Sequence, residues 1–177
     1  MIDTVAWVHL ENGRILCARP RGKGVFYVPG GKREGAESDL QTLLREVAEE
    51  LTVALRPETV RHAGTYQADH PDGTAVRMSC YTGEYSGTLA ASSEIDELAW
   101  FGYADRPRVP PVDQLLFDDL NAAGQLRLTS ARQEADLGGR EFFPPVRKAA
   151  VDRGIARSQE RDEGAGLFGE LLPGPFG

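Results

Sequence analysis

The stretch from Leu40 to Leu51 constrains this chain most, because it is amphipathic and carries like charge crowded onto one side. Leu40, Leu43, Leu44, Val47 and Leu51 recur at i, i+3, i+4, i+7 and i+11, one apolar stripe at helical period that needs a core. At about 100° of turn per residue, Glu46, Glu49 and Glu50 share an arc of roughly 100° on the side beside that stripe. Glu46 is an i,i+3 neighbour of Glu49 and an i,i+4 neighbour of Glu50, and like charges at those spacings destabilise a helix. A solvated face is the ordinary reading of two adjacent glutamates. Three of them working against their own helix point to an outside cation.

The flanking residues hold fixed distances. Five residues separate Gly31 from Glu37, seven separate Glu37 from Arg45-Glu46, and Glu49-Glu50-Leu51-Thr52-Val53 closes the run. Six fixed positions at about 7% usage each coincide by chance, in a chain this long, with a probability on the order of 10⁻⁵. With Val28-Pro29-Gly30-Gly31-Lys32 leading into it and Glu34-Gly35 inside it, the run resembles the signature of the Nudix hydrolases. Thr52 is the one departure, since the family usually has Gly there. The resemblance spans roughly residues 3–126.

What the resemblance implies is specific. The fold would be α/β, an α/β/α sandwich with a mixed β-sheet and the box as loop–helix–loop. The activity would be cleavage of a phosphoanhydride in a nucleoside diphosphate linked to a further group, with Mg²⁺ or Mn²⁺ as cofactor. Glu46, Glu49 and Glu50 would bind metal, aided by the main-chain carbonyl of Gly30, with Glu46 also or instead a general base. Arg45 would orient the catalytic glutamate and pair with Glu37. A Glu from the region of Glu94 and Glu97 acts in some similar proteins as a base or extra metal ligand; surface charge is the alternative for both.

The residue chemistry agrees with this. Phosphoanhydrides are inert because their negative oxygens repel nucleophiles, and carboxylates at helix spacing can hold a hard cation that offsets that charge. Gly30 and Gly31 would allow close backbone approach, an ordinary turn being the alternative. Arg19, Arg21 and Lys23 lie between strands near the box and would reach substrate phosphates, unless they form only a solvated basic loop. Tyr66, Tyr81, Trp100 and Phe101 would serve the core before any nucleobase. His9, His62 and His70 have no ligand spacing. At position 52 a β-branched Thr would resist the left-handed cap that Gly supplies, so a different helix ending is expected there.

Beyond the box, Val5–Leu10, Asn12-Gly13 and Ile15–Ala18 read as two strands and a hairpin turn, with a third strand at Val25–Val28 stopped by Pro29 and the Gly pair. Ser38 and Gln41 fit a capping box. Strands follow around Tyr66, across Val76–Tyr81, at Tyr85–Leu89 and at Leu98–Phe101. Pro110-Pro111 opens a second helix with Val112, Leu115, Leu116, Leu120 and Ala123 on one face and Gly124 at its end. The expected domain covers residues 1–128. Residues 129–177, rich in Gly, Pro and paired charges, read as a tail, poorly ordered or loosely packed, with room for one short helix across Val146–Ala156.

A net charge of −7 argues against binding nucleic-acid backbone. No apolar run reaches a membrane span, no signal segment is legible, and Cys17 and Cys80 sit in apolar runs as buried thiols. A cytoplasmic monomer or homodimer acting on a nucleotide small molecule is expected. The first choice of reaction is a (deoxy)nucleoside triphosphate to monophosphate and pyrophosphate. ADP-ribose, nucleotide sugars and dinucleoside polyphosphates come next. A non-catalytic nucleotide-sensing domain is the alternative class, opposed by the intact Arg45, Glu46, Glu49 and Glu50; an interaction protein acting through the tail is a third.

Overall fold

A computed structural model describes residues 1–129; the expected tail lies outside them. Nine strands and two α-helices form in these residues: β1 (Ile2–Trp7), β2 (Leu10–Glu11), β3 (Arg14–Pro20), β4 (Gly30–Lys32), α1 (Asp39–Leu51), β5 (Ala54–Leu55), β6 (Arg61–Asp69), β7 (Ala75–Thr82), β8 (Tyr85–Ser86), β9 (Ile95–Phe101) and α2 (Pro111–Ala122). No described helix is long and apolar enough to cross a membrane.

Strand order in the larger sheet is β4-β1-β7-β6. It is mixed, because β1 runs parallel to β7 while β4 and β6 are antiparallel to their neighbours. A second, antiparallel sheet has the order β2-β3-β9. Period-two alternation sends side chains to opposite faces of both. Val5, Trp7 and Leu16 pack with Leu43, Val47 and Leu51 of α1. Ala6, Val8, Ile15 and Cys17 face the other way and pack with Val112, Leu116, Phe117 and Leu120 of α2. The result is an α/β/α sandwich. Cys17 and Cys80 are buried free thiols.

Several local expectations need correction. The first strand does not run unbroken to Leu10: β1 ends at Trp7 in the mixed sheet, and β2 starts the second sheet. A bend between two sheets leaves no trace in apolar alternation. Asn12 and Gly13, both at positive φ, turn the β2–β3 hairpin as expected. Val25–Val28 contributes only a bridge between Tyr27 and Ala18, and the strand forms on the glycines themselves. Gly31 lies opposite Val5 and Gly30 opposite Ala6. A Cβ on Gly30, whose φ is 147°, would collide with the Val5 carbonyl oxygen and sit 2.8 Å from Ala6 Cα. Gly30 is glycine because β1 lies too close for anything larger, and Gly31 because the Glu46 side chain does.

α1 opens with the expected box: Ser38 Oγ accepts from Gln41 N–H at 3.3 Å, and Gln41 Oε1 accepts from Ser38 N–H at 2.9 Å. Its ending overturns the expectation at Thr52. That residue adopts φ 60° and ψ 19°, the left-handed cap a Gly would supply, at a cost of roughly 1–2 kcal/mol to a residue with a Cβ. Its hydroxyl donates to the Thr88 carbonyl at 2.9 Å. Leu40 and Leu115, placed on the apolar stripes by periodicity, are 38% and 37% exposed, while Thr42 and Phe117 are fully buried. Leu40 lies in the first turn of its helix. Thr42 gains burial because its hydroxyl is satisfied by Glu37 Oε2 and the Ser38 carbonyl.

Candidate active site

Strands of both sheets line a cavity of about 290 Å³ that Glu50 of α1 also reaches. Thr4 and Ala6 of β1, Gly30 and Gly31 of β4 and Ala18 and Pro20 of β3 form its walls, with Val112 and Asp113 of α2 beneath. The lining is mostly apolar. Glu50 and Glu94 both open onto it, as do Lys32 and His70.

The three glutamates of α1 occupy unlike surroundings. Glu49 is exposed, with 54% of its side chain accessible. Glu46 is half-buried; a Cβ on Gly31 would strike its carboxylate, so Gly31 is what lets that carboxylate lie against β4. Glu50 is only 6% exposed and accepts the Gly30 N–H at 3.0 Å. Burial pushes the Glu50 carboxyl up to about 8, the Gly30 hydrogen bond opposing and the charges of Glu46, Glu94 and Glu49 adding to the rise. Glu46 is raised as well, first by burial, with Arg45 opposing. Glu94 also acts on Glu46, which places a fourth carboxylate beside the cluster.

Arg45 is the cation that organises these charges. Its Nε and Nη2 donate to the two oxygens of Glu37, both at 2.9 Å, and Nη1 donates to Glu46 Oε1 at 3.0 Å. Nη1 also lies 3.5 Å from Glu49 Oε2, and Nη2 reaches the Lys32 carbonyl at 3.2 Å. Glu37 is held down to about 2, chiefly by Arg45 and then by the Glu34 N–H. Arg45 thus joins the approach loop, β4 and the glutamate face in one network.

Other candidates lie elsewhere. Arg19 pairs with Glu97 at 2.7 Å and Asp96 at 3.2 Å on the β3–β9 edge, so each of Arg19 and Glu97 already has a partner. Arg21 and Lys23 are exposed in the turn after β3 and are not part of the cavity wall. Phe101 belongs to the α2-side core, where Tyr66 packs against it; Tyr81 and Trp100 pack against the α1-side core.

Sequence reasoning missed Asp113. Its carboxyl, 2% exposed, accepts the Val28 N–H at 2.8 Å at the base of the cavity. Burial pushes it up to about 7. The signal was there: on the helical wheel Asp113 falls between Val112 and Phe117, on the inward arc of α2. A carboxyl that is neutral when folded and ionised when unfolded costs stability as pH rises through the interval between those values. Stability should therefore fall between about pH 4 and 7, and Asp113→Asn should lessen that fall by on the order of 1–3 kcal/mol. Urea unfolding at pH 5 and pH 8 measures it; an equal fall in both proteins would show that Asp113 is ionised in its pocket.

The chemistry of the donors fits a hard divalent cation. All are oxygens, and of the four carboxylates Arg45 reaches Glu46 and Glu49. Among the described residues no three His, Cys, Asp or Glu side chains are already gathered around a metal-sized space. An ion such as Mg²⁺ does not need that, because it takes one or two carboxylates and fills its other positions with water and substrate phosphates.

Comparison with known proteins bears on the family and the fold. The NUDIX domain model matches residues 2–120. The E. coli ORF135 protein in solution shares 30% identity at a TM-score of 0.56, covering 70% of this chain and 92% of its own. A MutT protein from Methanosarcina mazei Go1 shares the fold at 21% identity and TM-score 0.58, covering 70% and 94%. A bifunctional NMN adenylyltransferase/ADP ribose pyrophosphatase from Francisella tularensis, complexed with AMP and a Mn ion, shares it at 21% and 0.52, covering 70% of this chain and 42% of its own. With the box, the sandwich and the family model in agreement over the same residues, the chain belongs to the Nudix family of pyrophosphohydrolases.

Proposed function

We propose that this protein is a Mg²⁺-dependent hydrolase of a nucleoside diphosphate linked to a further group, and that its substrate is a (deoxy)nucleoside triphosphate, cleaved to monophosphate and pyrophosphate. The observation that carries the reading is the placement of Glu50 and Glu94 on an apolar cavity with Glu46 and Glu49 beside them. One end of the site suits a polyphosphate with its cations. The other, largely apolar, suits a flat group such as a nucleobase. A nucleoside triphosphate brings only a base, a sugar and a polyphosphate, which ranks it ahead of ADP-ribose, nucleotide sugars and dinucleoside polyphosphates, whose second moiety needs a further surface.

Glu46, Glu49 and Glu50 would hold the ion, with the Gly30 carbonyl beside them. Bound there, it would polarise the phosphoryl oxygens and make a nearby water more acidic. Glu46 or Glu94 would take the proton of the attacking water, and Arg45 keeps Glu46 turned toward β4 rather than into solvent. Lys32 and His70, which line the cavity, would meet substrate phosphates. The protein would be cytoplasmic, and its net charge of −7 would keep it off nucleic acid.

A panel of nucleoside triphosphates, ADP-ribose, nucleotide sugars and dinucleoside polyphosphates, incubated with Mg²⁺ and resolved by mass, tests the substrate. Triphosphates should be turned over fastest, releasing pyrophosphate. Preference for ADP-ribose would overturn the ranking within the hydrolase reading. Tight binding of a nucleotide without products would favour the sensing alternative.

A further inference from the structure

Thr52 sits where its own side chain is unfavourable, and what that side chain touches explains the choice. The segment 87–94 folds back over the C-terminus of α1. There the last carbonyls of the helix lack intrahelical partners. Ala90 N–H donates to the Leu51 carbonyl at 3.1 Å, Ser92 N–H to the Glu50 carbonyl at 3.0 Å, and the Thr52 hydroxyl to the Thr88 carbonyl at 2.9 Å. Two residues past Ser92 comes Glu94, whose own carbonyl accepts the Arg21 N–H at 2.8 Å from the end of β3. Ser93 between them is itself held at φ 56°. Glu94 thus hangs between two anchors, one of them α1, and its side chain shares the cavity with Glu50. A Gly at position 52 would make the cap without strain and would leave Thr88 without that donor. The strained residue persists because its surroundings over-determine it, the pattern expected where strain has a use.

We propose that Thr52 is a positioning residue for Glu94: its hydroxyl fastens the 87–94 segment to the end of α1 and so holds Glu94 beside Glu46 and Glu50. This rests on the reading of Glu94 as a participant in the hydrolysis. The helix that carries three of the carboxylates then also fixes the position of the fourth, which comes from a loop.

Thr52→Gly, Thr52→Ser and Glu94→Gln separate this from a purely structural role. Thr52→Gly relieves the backbone and deletes only the clasp, so the domain should remain folded. Without metal or substrate, amide exchange at Ala90 and Ser92 should quicken by roughly 3- to 10-fold in Thr52→Gly and stay near wild type in Thr52→Ser. With metal and substrate, Thr52→Gly should lower kcat roughly tenfold with KM little changed, and Thr52→Ser should restore it. Combined with Glu94→Gln, Thr52→Gly should add no further loss, because both act through one carboxylate. The proposal is overturned if exchange and kcat of Thr52→Gly match wild type. It is also overturned if the two losses multiply, or if Glu94→Gln alone leaves kcat unchanged. Failure of the hydrolase reading has a separate mark, wild-type turnover that is absent or indifferent to Glu49→Gln.

Discussion

Glu50→Gln should nearly abolish turnover while making the metal-free protein harder to unfold. Both effects come from one placement. The Glu50 carboxyl is buried, accepts a single backbone N–H from Gly30, and is surrounded by Glu46, Glu94 and Glu49, so it titrates near 8 rather than near 4.5. Between those two values the folded protein binds a proton that the unfolded chain does not, and stability falls as pH rises through the interval. Gln keeps the shape and the oxygen that Gly30 N–H needs, and has no charge to bury. At pH 7.5 the gain should be on the order of 1–3 kcal/mol, seen in urea unfolding without metal. If Glu50 binds the ion as proposed, activity should drop by about 10²-fold or more. Adding Mg²⁺ should raise the melting temperature of the wild type, because a ligand that binds only the folded state stabilises it, and should do so weakly or not at all for the variant. Equal stability with and without the charge would mean that Glu50 is paired by something other than Gly30.

Gly30→Ala should cost more stability than any surface change. Its φ of 147° is closed to a residue with a Cβ, and the new methyl would run into the β1 backbone at Val5 and Ala6. β1 cannot yield, since it is paired on both sides, with β4 and with β7. A loss of about 3 kcal/mol or more is expected, which for a domain of this size lowers the melting temperature by roughly 10 °C. The same shift would displace the N–H that Glu50 accepts, so activity should fall with it. Gly24→Ala is the control: no atom lies within 4 Å of its added methyl, and the change should stay within about 0.5 kcal/mol. A melting curve for Gly30→Ala overlaying that of Gly24→Ala would contradict the close approach of β4 to β1.

How much of this was legible in the sequence varies by residue. The helix, its Ser38–Gln41 cap and the alignment of Glu46, Glu49 and Glu50 follow from period and spacing. The unlike fates of Glu49 and Glu50 do not follow from their charge. On the wheel, however, Glu50 stands about 20° from the buried Leu43 and Glu49 about 120° from it. Periodicity places a residue on an arc and is silent on which neighbour covers it; here the cover is β4. For the same reason the glycine pair read as a strand stop and is instead the strand. Glu94 belongs to no helix or repeat, and only the three-dimensional return of the 87–94 segment to α1 brings it near Glu46 and Glu50. Asp113 stood in plain view on the apolar face of α2, and a charged residue there was easily passed over. Thr52 read as an obstacle to the cap, because the Thr88 carbonyl that accepts its hydroxyl lies 36 residues away.

The central claim is that the glutamate face of α1 holds a cation that breaks a phosphoanhydride. Initial rates with the best nucleotide of the panel, measured across a Mg²⁺ titration after chelation, test it most directly when wild type and Glu49→Gln are compared. Glu49 is exposed, so its substitution leaves the fold alone. The account predicts no turnover without the ion, saturable activation of the wild type, and a loss of about 10²-fold in the variant. Turnover that survives chelation, or a Glu49→Gln protein as active as the wild type at every Mg²⁺ concentration, would contradict it.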